Sequence, residues 1–112
     1  MKLAVIGSRA LTIEAEVLHK YMPPQVTELV SGGARGIDSC ARIYAMEHNI
    51  PVIEFFPDYS RFGRAAPLKR NQQIVEYADE ILAFWDGQSK GTADTLRRAA
   101  RLGKKANVIL LK

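Results

Sequence analysis

Five short apolar runs punctuate the chain, and between them apolar residues recur at helical spacing. In Lys2–Ile6 the residues Leu3, Ala4, Val5 and Ile6 are continuous rather than alternating, which predicts a strand buried on both faces. Val26–Val30, Pro51–Phe55, Glu80–Trp85 and Ala106–Leu111 read as four more strands, the third with proline at its first position, where it is tolerated. Thr12 is placed to cap a first helix whose face is Ile13, Val17 and Tyr21, and Pro23-Pro24 ends it. The clearest helical pattern is Ile37, Cys40, Ala41, Tyr44 and Ala45. Pro67 opens a third helix buried through Ile74, Val75 and Ala78. Thr92 opens a fourth, buried through Leu96, Ala99 and Ala100 and closed by Gly103. The connection Phe56 to Ala66, with Tyr59, Arg61, Phe62 and Arg64, is long for a loop between strand and helix, and long loops are often functional.

Strict alternation of apolar strands with amphipathic helices implies an α/β fold, a Rossmann-like three-layer sandwich with a five-stranded parallel sheet and helices on both faces. Right-handed crossovers leave few topologies. The order 3-2-1-4-5 is favoured, with a flavodoxin-like 2-1-3-4-5 as the alternative. The 112 residues suffice for one core, so residues 1–112 are read as a single domain. No apolar run approaches a membrane span. The opening run is too short for a signal peptide, which sets the expectation of a cytoplasmic protein without a membrane partner. A single cysteine, Cys40, excludes an internal disulfide and argues against a structural zinc site. It falls on the apolar face of its helix and reads as a buried, inert thiol. His19 and His48 have no ligand-type neighbours at metal spacing and read as helix-surface residues, so no metal site is expected.

The net charge of +4 is compatible with a phosphate-bearing ligand but too modest to indicate nucleic acid by itself. Much of the excess lies in Arg97, Arg98, Arg101, Lys104 and Lys105, which reads as a solvated helix face complementing a helix C-terminus.

The unusual residues gather where ligands bind in such folds, after the carboxyl ends of the strands. Gly7-Ser8-Arg9 follows the first strand, Ser31 to Asp38 the second, Phe56 to Arg70 the third and Asp86 to Thr92 the fourth. Two glycine-bearing turns, at Gly32, Gly33 and Gly36 and at Gly87 and Gly91, each lead into a helix, where backbone donors and a positive dipole end favour an anion. Arg9 and Arg35 read as bidentate phosphate partners, as surface charges, or as partners of Asp38 and Asp86. Ser8, Ser31, Ser89 and Thr92 supply hydroxyls. Trp85, Tyr59 and Phe62 offer rings for a base, although a tryptophan at a strand end more often closes a core, and glycine turns also serve tight packing. Neither phosphate fingerprint is present: Gly32 to Gly36 lacks the G-x-G-x-x-G spacing, and Gly91 separates Lys90 from Thr92 where a Walker motif has lysine and threonine adjacent.

Together these stretches resemble the SLOG superfamily of Rossmann-like domains, which contains the DNA-processing (DprA/Smf) proteins and the Lonely Guy phosphoribohydrolases. Ser31-Gly32-Gly33-Ala34-Arg35-Gly36-Ile37-Asp38 looks like the DprA-type stretch. Lys69-Arg70-Asn71-Gln72-Gln73-Ile74 is similar to the arginine-asparagine helix of that group, with Asn71 bridging loops. Trp85-Asp86-Gly87-Gln88-Ser89-Lys90-Gly91-Thr92 stands where the superfamily has its second glycine-rich turn. The chain looks most like small stand-alone SLOG proteins of bacteria and phages, the YspA/YpsA group, whose expected ligand is a nucleotide or nucleotide derivative. The resemblance implies that Gly7, Ser8, Arg9, Ser31, Gly32, Gly33, Arg35, Gly36, Asp38, Arg70, Asn71, Trp85, Asp86, Gly87, Ser89, Gly91 and Thr92 surround that ligand. It also implies a homodimer or higher oligomer. Where Lonely Guy enzymes carry a catalytic glutamate, this chain has Thr95, with Asp94 beside it.

The leading reading is a sensor or carrier of a nucleotide-derived phosphorylated small molecule, with no certain cofactor. The alternative is a hydrolase of N-glycosidic or phosphate bonds in such a ligand, with Asp38, Asp86 or Asp94 as the working carboxylate. A third is DprA-like binding of single-stranded nucleic acid through Arg61, Arg64, Lys69, Arg70, Tyr59 and Phe62.

Overall fold

A computed structural model describes residues 1–111. It contains strands β1 (Lys2–Gly7), β2 (Glu28–Ser31), β3 (Val52–Glu54), β4 (Glu80–Trp85) and β5 (Lys105–Leu110). The α-helices are α1 (Ala15–Tyr21), α2 (Ile37–Glu47), α3 (Tyr59–Phe62), α4 (Ala66–Tyr77) and α5 (Lys90–Arg101), with a 3-10 turn at Gly63–Ala65. The strands form one parallel sheet in the order β3-β2-β1-β4-β5, the favoured topology. The continuous apolar runs are buried because both faces are covered. Leu3, Val5, Leu29, Leu82 and Phe84 pack on one side with Leu18, Ile37, Ala41, Tyr44 and Ala45. Ala4, Ile6, Val30, Ile81 and Ala83 pack on the other with Ile74, Val75, Ala78 and Ala99.

β1 is the centre of the sheet. The chain runs outward from it through β2 to β3, then returns to lay β4 along its other side, with Leu3 opposite Glu80 and Gly7 opposite Phe84. The loops after β1 and β4 therefore diverge to opposite sides, which opens a crevice at their carboxyl ends. Two glycines set how tightly that crevice is built. A methyl group on Gly7 would meet the Phe84 carbonyl oxygen and lie 2.5 Å from Ile37 Cγ1. Gly36 has φ 75° and ψ −126°, and a methyl there would collide with the Arg9 carbonyl oxygen and lie 2.8 Å from that of Ser8.

Several local expectations need correction. α1 starts at Ala15, after Glu14, not at a Thr12 cap, and Glu14 makes no side-chain capping bond. Leu11 and Ile13 pack on the core from the preceding segment, so the helix buries Leu18 while Val17 stays exposed. β2 starts at Glu28, later than Val26–Val30 suggested, with the Thr27 amide bonding the Met1 carbonyl just ahead of it. α5 begins at Lys90 and buries Thr92, Thr95 and Ala99, whereas Ala100 is exposed and Leu96 only half-buried. The connection after β3 is not irregular: Asp58 Oδ1 accepts from the Arg61 amide at 3.1 Å and from Ser60 Oγ at 2.9 Å, and this cap starts α3. Cys40 is half-buried rather than buried. β5 is the least covered strand, with Val108 and Leu110 exposed.

Candidate functional site

A cleft of about 420 Å³ lies at the carboxyl edge of the sheet between the β1 end, the β2–α2 turn, α4 and the start of α5. That size suits a small-molecule ligand. Gly7, Arg9, Gly32, Asp38, Arg70, Asn71, Ser89, Gly91 and Thr92 line it.

The remaining singled-out residues sit behind or beside the cleft. Ser8 is buried, and its Oγ accepts from the Asp86 amide at 3.3 Å, which ties the β1 loop to the β4 loop. Ser31 is buried, and its Oγ accepts from the Gly33 amide at 3.1 Å. Gly33 has φ 69° and packs against the Phe56 ring, and Gly36 packs under the β1 loop. Arg35 is exposed and does not line the cleft, nor does Gly87, which is exposed at φ 81°. Trp85 Nε1 donates to the Ser89 carbonyl at 3.0 Å, so the indole braces the β4–α5 loop. Tyr59 and Phe62 do not reach the cleft. Phe62 instead lies under Arg61 and Lys69.

The start of α5 gives the cleft its anion-seeking end. Its first helix-type backbone bond runs from the Ala93 amide to the Ser89 carbonyl at 3.2 Å. The amides of Lys90, Gly91 and Thr92 therefore precede the bonded part of the helix and are free to donate. Ser89 Oγ and Thr92 Oγ1 lie 3.3 Å apart at the same mouth. Asp86 shapes this loop: its Oδ1 accepts from the amides of Gln88 and Ser89, each at 2.8 Å. Those two bonds hold its carboxyl below the ordinary carboxylate range.

A polar chain crosses the cleft from the first glycine turn to α5. Arg70 Nη1 donates to the Gly32 carbonyl at 2.7 Å and Nε to Asn71 Oδ1 at 3.0 Å. Asn71 Nδ2 donates to Asp94 Oδ2 at 3.1 Å, and Arg98 Nε donates to the same oxygen at 2.7 Å. Burial pushes the Asp94 carboxyl up, but the bonds from Arg98 and Asn71 outweigh it and hold it below the ordinary range. Arg98 Nη1 also donates to Gln72 Oε1 at 3.0 Å.

Asp38 differs from both other aspartates. It is 8% exposed and lines the cleft. Burial pushes its carboxyl above the ordinary range, against the Ala34 amide, which donates to Oδ2 at 3.1 Å, and against Arg70 and Arg9, which pull it down. Among the described residues no cation lies within ion-pair distance of it.

Asp94, one of the candidate carboxylates, lines the cleft as well, and so do Ile6, Ala34, Pro67, Leu68, Ile74 and Lys90, whose side chains had no site role in the sequence reading. Lys90 carried a legible signal, a lysine inside a glycine-bearing turn at a helix start. Pro67 and Leu68 carried none, because their position depends on how α4 is seated. Thr95 also lines the cleft, with Oγ1 donating to the Gly91 carbonyl at 3.0 Å. Among the described residues no cluster of metal-ligating side chains is present, and no helix is long and apolar enough to cross a membrane.

The family model for DNA recombination-mediator protein A matches residues 1–60, the half that carries β1, the first glycine turn, α2 and β3. No curated protein and no solved structure matches the chain.

Proposed function

We propose that this chain, which belongs to the DNA recombination-mediator protein A family, binds a nucleotide or nucleotide-derived phosphorylated small molecule in the cleft, as a sensor or carrier. The observation that carries this reading is the start of α5, where the free amides of Lys90, Gly91 and Thr92 open into a cleft that Arg9 and Arg70 also line. A phosphate fits that end by charge and by hydrogen bonding. Binding is favoured over hydrolysis because two of the three candidate carboxylates are occupied. Asp94 is held by Arg98 and Asn71, and Asp86 by the amides of its own loop. Thr95 spends its hydroxyl on the Gly91 carbonyl.

The test is a thermal-shift series with nucleoside monophosphates, NAD and ADP-ribose, on the native chain and on Gly91→Ala. A ligand at a hundred times its Kd stabilises by about 2.7 kcal/mol, a rise of several degrees in Tm for a chain of this size. Nothing lies within 4 Å of a methyl placed on Gly91, so Gly91→Ala is expected to fold with equal or higher stability. The methyl stands at the cleft mouth, so the nucleotide-induced rise is expected to shrink or vanish. No stabilisation of the native chain by any of these compounds at millimolar concentration overturns the reading.

A second reading, binding of single-stranded nucleic acid, is favoured by the family's printed name and by a basic and aromatic patch outside the cleft. Arg61 and Lys69 stand over the Phe62 ring at 5.0 and 5.8 Å, and Tyr59 is exposed nearby in sequence on α3. Oligonucleotide affinity that falls steeply with salt and drops in Arg61→Ala is the expected result there. A salt-insensitive or undetectable gel shift removes it.

A further inference from the structure

The phosphate reading uses the start of α5 and the two arginines of the cleft and leaves one lining group without a role. Asp38 is buried to 8% exposure yet still lines the cavity. Its Oδ2 accepts from the Ala34 amide at 3.1 Å and the Gly32 amide also stabilises its charge, while no described side chain donates to it. Gly32 leaves room for both Asp38 and the Arg70 guanidinium: a methyl there would lie 3.1 Å from Asp38 Oδ2 and 2.5 Å from Arg70 Nη1. A carboxylate in this condition repels a second anion and takes a donor. No side chain of the polar chain from Arg70 to Arg98 bonds it, although the Arg70 charge acts on it, so the carboxylate keeps acceptor capacity for a donor in the cavity it lines.

We infer that Asp38 is a specificity-determining residue that accepts a hydrogen bond from a ribose hydroxyl of the ligand, so that the cleft selects ribonucleotides over their deoxy counterparts. The inference rests on the nucleotide reading above and adds the sugar to it. A ribonucleotide carries the two required features together: an anionic phosphate for the start of α5 and, a few bonds away, uncharged hydroxyl donors. Deoxygenation removes one donor and leaves the carboxylate facing apolar carbon. The loss of a hydrogen bond to a charged group weakens binding roughly ten- to a hundred-fold.

Isothermal titration of AMP, 2′-deoxy-AMP, 3′-deoxy-AMP and IMP into the native chain and Asp38→Asn tests this. Asparagine keeps the shape, and its amide oxygen retains the bond from Ala34, so the fold is preserved; circular dichroism and a melting curve check that. The expected result is that AMP and IMP bind alike, one of the two deoxy forms binds more weakly by that factor, and the difference collapses in Asp38→Asn. Equal binding of AMP and both deoxy forms overturns the inference, as does discrimination that survives in Asp38→Asn. Discrimination between AMP and IMP in place of the deoxy forms overturns it too, since the base amine is then the donor. In each of those cases nucleotides still bind and the nucleotide reading stands, whereas binding of none of the four defeats that reading itself.

Discussion

Gly36→Ala is expected to lower the unfolding free energy by about 4 kcal/mol, combining roughly 1–3 kcal/mol of backbone strain with a similar term for overpacking. With φ at 75° and ψ at −126°, the residue occupies a region that side chains other than glycine's rarely enter. The added methyl would also point at the carbonyl oxygens of Arg9 and Ser8. Both neighbours are backbone, so no side chain can swing aside to relieve the contact. The β1 loop would have to lift away from the start of α2, and Ser8 would lose its bond from the Asp86 amide. Gly87→Ala is the internal control. Gly87 shares the positive φ, at 81°, but a methyl there meets nothing within 4 Å, so only the strain part applies. Urea denaturation of the two variants separates packing from backbone strain. A loss below about 1 kcal/mol for Gly36→Ala would show that the loop relaxes freely.

Replacing Arg70 by methionine is expected to cost about 3 kcal/mol near neutral pH and less in acid. The guanidinium donates to the carbonyl of Gly32, which is buried, and anchors Asn71, which in turn holds Asp94. Its removal leaves those acceptors short of a donor and withdraws the largest charge that opposes the desolvation of Asp38. The sign of the pH dependence follows. The folded-state pKa of Asp38 already lies above its unfolded value and rises further in Arg70→Met. Its contribution is therefore fully present below the unfolded pKa and is lost as pH climbs through the folded one, so the variant's deficit against the native chain grows from acid toward neutral pH. Arg70→Met combined with Asp38→Asn is expected to recover part of the loss at neutral pH and to flatten that pH dependence. Denaturant titrations across this range read both effects, and a deficit that shrinks as pH rises contradicts the account.

The fold was legible because burial on both faces writes itself into the strands. Leu3 to Ile6 and Ile81 to Phe84 are unbroken apolar runs, and the spacing of Ile37, Ala41, Tyr44 and Ala45 belongs to a helix. What escaped was decided by tertiary contact. Ile13 reads as a helical residue but packs on the core ahead of α1, so Leu18 takes the buried position. The short helix α3 rests on a local cap at Asp58 inside a stretch with no apolar period.

For the cleft, the sequence marks which loops share the carboxyl edge but not which way their side chains turn. Arg9 and Arg35 carry equal promise in the chain, yet the first lines the cavity and the second, exposed, does not. Trp85 looks like a stacking ring and instead braces the Ser89 carbonyl. Asp86, Asp94 and Asp38 are indistinguishable as letters. Hydrogen bonds, joined at Asp94 by the charges of Arg98 and Arg97, set the first two below the ordinary carboxylate range, and burial sets the third above it.

The pairing of β1 with β4 also fixes an order of assembly. Lys2 donates its amide to Asp79, and Leu3 stands opposite Glu80, partners 77 residues apart in the chain. No strand of this sheet is joined to its neighbour by a hairpin, so every ladder waits on a crossover. During synthesis β1 gains β2 early, but its second edge stays open until β4 has been made. The first glycine turn is complete long before the start of α5 that faces it across the cleft. The nascent half that the family model matches therefore carries one wall of the site and an open apolar strand edge, and a chaperone or a rapidly translated second half would protect it during that interval.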